Sequence, residues 1–175
     1  QAMDAGLFER VWAEVGPYLL TTSLWAWGEP LLHPQLKDIL RIAQTQPVAT
    51  LLSTNGQTLA RESVIDALAS YPPTYLIVCI DGLTDETNSR YRAGARLAPV
   101  LEGVHLLADI KRHRGMDWPI LHMRYIVMKH NEHELPHIEG FARQHGFDLV
   151  TLRTLLIIDS TAARHSDLLP GSNEF

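Results

Sequence analysis

Apolar positions along the chain switch repeatedly between helical spacing and short unbroken runs of strand length. Leu7, Phe8, Val11, Trp12 and Val15 recur at helical intervals behind Asp4, which can cap a first helix; an apolar, Thr-rich run from Leu19 to Trp25 follows and predicts a strand. Further on, the pattern predicts helices from about Pro34 to Gln44 and from about Thr58 to Ser70, with strands at Val48 to Leu52 and Tyr75 to Ile80. A short helix starts near Thr84, and a longer one runs from about Ala98 to His113. Ile120 to Met128 reads as a strand. Asn131 caps a helix to about His145, which Gly146 ends, and Leu149 to Ile158 is the last strand.

The five runs are rich in Val, Ile and Leu and nearly continuous, the composition of strands covered by helices in a parallel sheet or barrel. An α/β fold follows. The chain opens on a helix with no strand ahead of it, which leaves two readings: a fold with an N-terminal helix, or a chain cut at both ends. Residues Ser166 to Phe175 read as loop or tail, because Pro170-Gly171-Ser172-Asn173 offers nothing to a core.

In parallel α/β folds ligands sit at the C-terminal ends of the strands, so the loops there are the positions to inspect. They are Ala26-Trp27-Gly28-Glu29-Pro30, Ser53-Thr54-Asn55-Gly56, Cys79-Ile80-Asp81-Gly82, Lys129-His130-Asn131 and Asp159-Ser160. Each of the first three sets a glycine beside a polar residue, as backbone that turns sharply or approaches a ligand closely requires. Taken singly, each is also an ordinary turn; three in succession on one rim point to a site. Glu29, held between Gly28 and the rigid Pro30, could accept charge-assisted hydrogen bonds from an ammonium group.

Composition narrows the chemistry. The 175 residues are 46% apolar and 20% charged, with a net charge of −5, which gives no electrostatic reason to expect a nucleic acid. Lys111 to Arg114 is the one basic run, and it fits a helix C-terminus. The single cysteine, Cys79, excludes an internal disulfide and a cysteine-built zinc site within the chain. No apolar run approaches the roughly 20 residues of a membrane span. A cytoplasmic protein with no membrane or nucleic-acid partner is therefore expected.

Trp27-Gly28-Glu29-Pro30-Leu31-Leu32-His33-Pro34 resembles the Gly-Gly-Glu-Pro motif of the radical S-adenosylmethionine (radical SAM) superfamily, with Trp in place of the first Gly. Ser53-Thr54-Asn55-Gly56 and Ile80-Asp81-Gly82-Leu83-Thr84-Asp85-Glu86-Thr87, leading to Tyr91-Arg92, are similar to that superfamily in order and spacing. The resemblance runs from about Met3 to Ile158. It implies a parallel-stranded partial TIM-type (β/α)6 barrel over residues 1–165. It also implies S-adenosyl-L-methionine and a 4Fe-4S cluster as cofactors. Reductive cleavage of the first by the second would give a 5′-deoxyadenosyl radical that takes hydrogen from a substrate, a peptide or a small molecule, with an electron donor as partner.

On the same resemblance, Trp27, Gly28 and Glu29 meet the methionine amino group, and Thr54 and Asn55 line the cofactor or substrate side. Cys79 and Asp81 fall on the ribose-binding strand, where the family commonly has Ser at the place of Cys79. The family holds its cluster with C-x-x-x-C-x-x-C, which one cysteine cannot provide; the expectation is a chain lacking the first strand and its cysteine loop, and inactive alone. Two other readings stay open: a cluster-free barrel that binds or recruits a partner, and a metal-dependent hydrolase built on Glu29, Asp81 and His130. His130, His133 and His137, with Glu134, have the spacing of a shared metal site, although Pro136 interrupts it and a solvated helix face is expected. His33 is expected to belong to the Pro-bounded turn.

Overall fold

The computed structural model describes residues 2–155 and 168–171. Its elements run α1 (Ala5–Val15), β1 (Thr21–Ser23), α2 (Leu36–Ala43), β2 (Ala49–Thr54), α3 (Glu62–Ser70), β3 (Tyr75–Cys79), α4 (Asp85–Tyr91), α5 (Leu97–Arg114), β4 (Ile120–Val127), α6 (Ile138–Gln144) and β5 (Leu149–Thr154). The five strands form one sheet in the order β1-β2-β3-β4-β5, and every adjacent pair is parallel. Consecutive order without reversal is the arrangement of a barrel wall rather than of a doubly wound sheet. The α/β fold and the partial TIM-type barrel expected from the sequence are what the structure shows.

Leu40 of α2, Val64 and Leu68 of α3, Val104 and Leu107 of α5 and Ile138 of α6 share one buried cluster with Leu52, Leu76, Val78, Leu121, Met123, Tyr125 and Val127 of the strands. The helices therefore cover one face of the sheet. Side chains alternate along a strand, so Ser53, Ile77, Cys79, His122, Arg124, Thr151 and Arg153 project from the opposite face. Register puts Ile77 between Ser53 and His122, and Arg124 between Cys79 and Thr151. The expectation of continuous apolar strands is corrected here, because β4 alternates His122 and Arg124 with core residues.

Three boundaries also move, each for a local reason. The first strand contracts from Leu19 to Trp25 to three residues, since among the described residues β1 pairs on one side only, with β2, and Leu20 is 90% exposed. The helix expected from Thr58 begins at Glu62, because Leu59 and Arg61 donate to Gly56 and Thr58 in successive turns that bury Leu59. Between Asn131 and His145 the chain is a 3-10 segment, Glu132–His137, followed by α6: Pro136 has no N–H to give an α-helix. The expected end of the last strand at Ile158, the Asp159-Ser160 loop and most of the tail from Ser166 lie outside the described residues, as does the boundary at 165.

Candidate functional site

Glu29 organises the first part of the rim. Its Oε1 accepts from the Thr54 hydroxyl at 2.6 Å and from the Leu31 amide at 3.1 Å, and its Oε2 accepts from the Asn55 amide at 2.8 Å. The carboxylate thus caps the 3-10 turn Pro30–Leu32 and ties the loop after β1 to the end of β2. A carboxylate offers about four acceptor positions, so three are used and one, on Oε2, remains for a ligand donor. Gly28 turns the chain into this bond at φ +86°, a conformation that a residue with a Cβ adopts at a cost. Trp27, beside it, is 93% exposed.

Thr54 is buried, and its hydroxyl also accepts from the Gly56 amide at 2.9 Å. Asn55 spends its carbonyl on the Gln57 amide at 2.9 Å. Cys79 closes β3 half-buried, with Sγ 3.4 Å from Ser53 Oγ. These groups stand at the rim where the parallel strands end.

Asp81 is placed differently. It is wholly buried; Oδ1 accepts from the Ile126 amide at 2.7 Å, and Oδ2 lies 2.6 Å from Arg92 Nε. Burial pushes its carboxyl above the usual range, against the pull of Arg92 and the Ile126 amide. Around it, Asn88 Oδ1 accepts from the Asp81 amide, and Asn131 Nδ2 donates to the carbonyls of Asp81 and Ile126. Glu134 accepts from the Tyr125 hydroxyl at 2.7 Å and from the Leu83 amide at 2.9 Å. Burial and the Glu134 carboxylate hold that phenol far above its ordinary value. Gly82 fits this packing only without a side chain, because a Cβ there would lie 2.2 Å from the Asn88 amide nitrogen.

Glu134 therefore departs from the solvated face expected for its segment: it is 6% exposed and serves the rim's foundations, while His133 and His137 are exposed as expected. Burial lowers the His130 pKa, helped by Arg90. His33 belongs to its turn, Nδ1 accepting from the Gln35 amide and Nε2 lying 2.8 Å from the Met3 carbonyl. Among the described residues, no group of three or more His, Cys, Asp or Glu is arranged to hold a metal ion, and no helix is long and apolar enough to cross a membrane.

Sequence reasoning missed the polar row on β4 and β5. His122 Nε2 lies 2.7 Å from the Thr151 hydroxyl, and burial, with Arg124 and Arg153 nearby, lowers its pKa to about 4. Arg124 has a buried Nε with no hydrogen-bond partner among the described residues. The signal was the alternation in Leu121-His122-Met123-Arg124-Tyr125, which puts both polar residues on one face. Asn88, Asn131 and Glu134 carried no such signal, because their partners are distant in sequence.

Comparison with known proteins matches residues 9–142 to the model of the radical SAM superfamily. A tungsten-containing aldehyde ferredoxin oxidoreductase cofactor-modifying protein from Pyrococcus furiosus is 26% identical over 156 residues, 88% of this chain and 44% of that protein. The chain thus spans less than half of that relative. Streptococcus suis SuiB bound to S-adenosylmethionine superimposes over 98% of this chain and 37% of its own, with a TM-score of 0.76 at 15% identity. Native anSMEcpe with bound AdoMet and Kp18Cys peptide gives a TM-score of 0.61 at 15% identity, over 87% of this chain and 42% of its own. At these identities the likeness is one of fold.

Proposed function

The chain belongs to the radical SAM superfamily, and on that premise we propose that its rim is the S-adenosylmethionine-binding part of a hydrogen-abstracting enzyme. The superfamily's cofactors are S-adenosylmethionine and a 4Fe-4S cluster, which together supply a 5′-deoxyadenosyl radical. One observation carries the site assignment: Glu29, in the Trp27-Gly28-Glu29-Pro30 loop, holds the mouth of the sheet together and keeps an acceptor position free. That position suits the ammonium of the methionine moiety, with Trp27 and Gly28 alongside.

The unpartnered Nε of Arg124 suits the carboxylate of the same moiety. Two strand spacings, about 10 Å, separate β2 from β4, a gap that an extended arginine and an amino-acid head can span. Thr54 and Asn55 shape the floor beside Glu29. Cys79, paired with Ser53, faces the ribose side, and Asp81 serves it through the loop backbone that its carboxylate fixes. The cluster does not fit this chain: it needs three thiolates and the sequence has one, on β3, so its ligands lie outside these residues. A peptide or small-molecule substrate and an electron donor are the partners this reading carries; SuiB bound to precursor peptide SuiA is a structural neighbour.

Calorimetry tests the cofactor site directly. S-adenosylmethionine should bind the full chain, and Glu29→Ala should weaken binding about 10- to 100-fold, the worth of one charge-assisted hydrogen bond. No binding, or equal binding by the variant, would refute the assignment. Anaerobic reconstitution with iron and sulfide should leave this chain without a stoichiometric 4Fe-4S absorption band; a stable cluster on it would refute the placement of the ligands.

A further inference from the structure

The sheet face opposite the helix-covered core carries one more cation than the cofactor accounts for. Arg124 on β4 and Arg153 on β5 share that face: Arg124 pairs with Thr151, and Arg153 pairs with Ile126, one same-face step nearer the strands' C-terminal ends. No Asp or Glu stands in the same-face positions of β1 to β5, which include Ser23, Ser53, Tyr75, Ile77, Cys79 and the β4 and β5 residues already named. Among the described residues, neither arginine has a carboxylate within ion-pair distance, whereas Arg92, Arg112 and Arg143 each have one. Two arginines at neighbouring same-face positions of adjacent strands concentrate positive charge on this face, which a bound anion would offset. Both also bear on His122 and oppose its protonation, which places them in the same local field.

S-adenosylmethionine has one carboxylate, and the reading above gives it to Arg124. We propose that Arg153 binds an anionic group of the substrate, a carboxylate or a phosphate, at the mouth of the open face, so that substrates of this site are acidic. The inference rests on the cofactor reading for its charge count. Beside the anion, the His122–Thr151 pair offers a neutral hydrogen-bonding group, which fits a substrate with a charged end and a polar, uncharged neighbour. Arg153 is exposed and outside the core, so its substitution leaves the fold intact.

The test is titration calorimetry on the full chain saturated with S-adenosylhomocysteine, with succinate in one arm and inorganic pyrophosphate in the other to separate carboxylate from phosphate. One probe should bind, Arg153→Gln should weaken it at least tenfold, and Arg153→Lys, which keeps the charge, should lose less. Arg153→Gln should affect S-adenosylhomocysteine much less than the probe. Unchanged probe affinity in Arg153→Gln, or no binding of either probe to a chain that holds S-adenosylhomocysteine, would overturn the proposal. A chain that fails to bind S-adenosylhomocysteine would instead refute the cofactor reading, and the same probes titrated without it would still decide the role of Arg153.

Discussion

The two sides of the rim are built on opposite principles. On the β3–β4 side, Asp81, Asn88, Asn131, Glu134 and Tyr125 form a buried network in which nearly every polar atom meets a partner from another element. On the β1 side, a three-residue edge strand leads into a loop with Trp27 almost wholly in solvent, and the single carboxylate of Glu29 ties that loop to β2. A mostly apolar-walled cavity of about 700 Å³, bordered by Trp12, Leu24, Trp25, Trp27, Leu36 and Leu52, lies beneath it. The first side is preformed, since burying polar groups is tolerable only when they are bonded together. The second depends on few contacts, so a ligand there can add order that the chain lacks alone.

The sharpest way to break this contrast is Gly82→Ala. A Cβ 2.2 Å from backbone that cannot move independently should cost about 3 kcal/mol or more, visible as a large fall in the urea midpoint, while the α1–β1 region gains nothing in compensation. A loss below about 1 kcal/mol would mean that the β3–β4 side yields as readily as the other.

The next effect is a pH dependence. The unfolded chain protonates His122 near its ordinary value of 6.5, whereas the folded chain resists until about pH 4. As pH falls from about 6.5 to 4, the unfolded state takes up the proton first and native stability declines, by about 1–2 kcal/mol once partial solvent screening is allowed for; below pH 4 this group adds nothing further. Urea midpoints at pH 7.5 and 4.5 should therefore diverge more for the native chain than for His122→Gln. Equal divergence would show that the open face does not resist the charge. The smallest effect belongs to Trp27→Ala: a side chain 93% exposed should change stability by no more than about 0.5 kcal/mol, and a larger loss would show the β1 loop to be packed.

The same contrast explains what could be read from sequence. Five strands and the glycine-marked loops were legible because period and turn chemistry are local, and Glu29 was legible because Gly28 and Pro30 bracket it. The bonds that fix Asp81 join residues 45 and 50 positions apart, to Ile126 and Asn131, and no local pattern announces them. Glu134 was masked by three histidines at an apparent metal spacing, although Pro136 had already marked the segment as irregular. Arg124 and His122 lay in plain alternation on β4, hidden only by reading that strand as continuous.

Asp81 has one more consequence. The backbone ladder between β3 and β4 reaches the Ile80 amide, which donates to the Arg124 carbonyl, and the next rung is the Asp81 side chain taking the Ile126 amide. A side chain used as a rung works as a spacer: its length sets how far the two strands part as they leave the sheet. The width of the crevice at that point is thus written in one methylene, and lengthening Asp81 to Glu would reset the gauge of the opening without altering its charge.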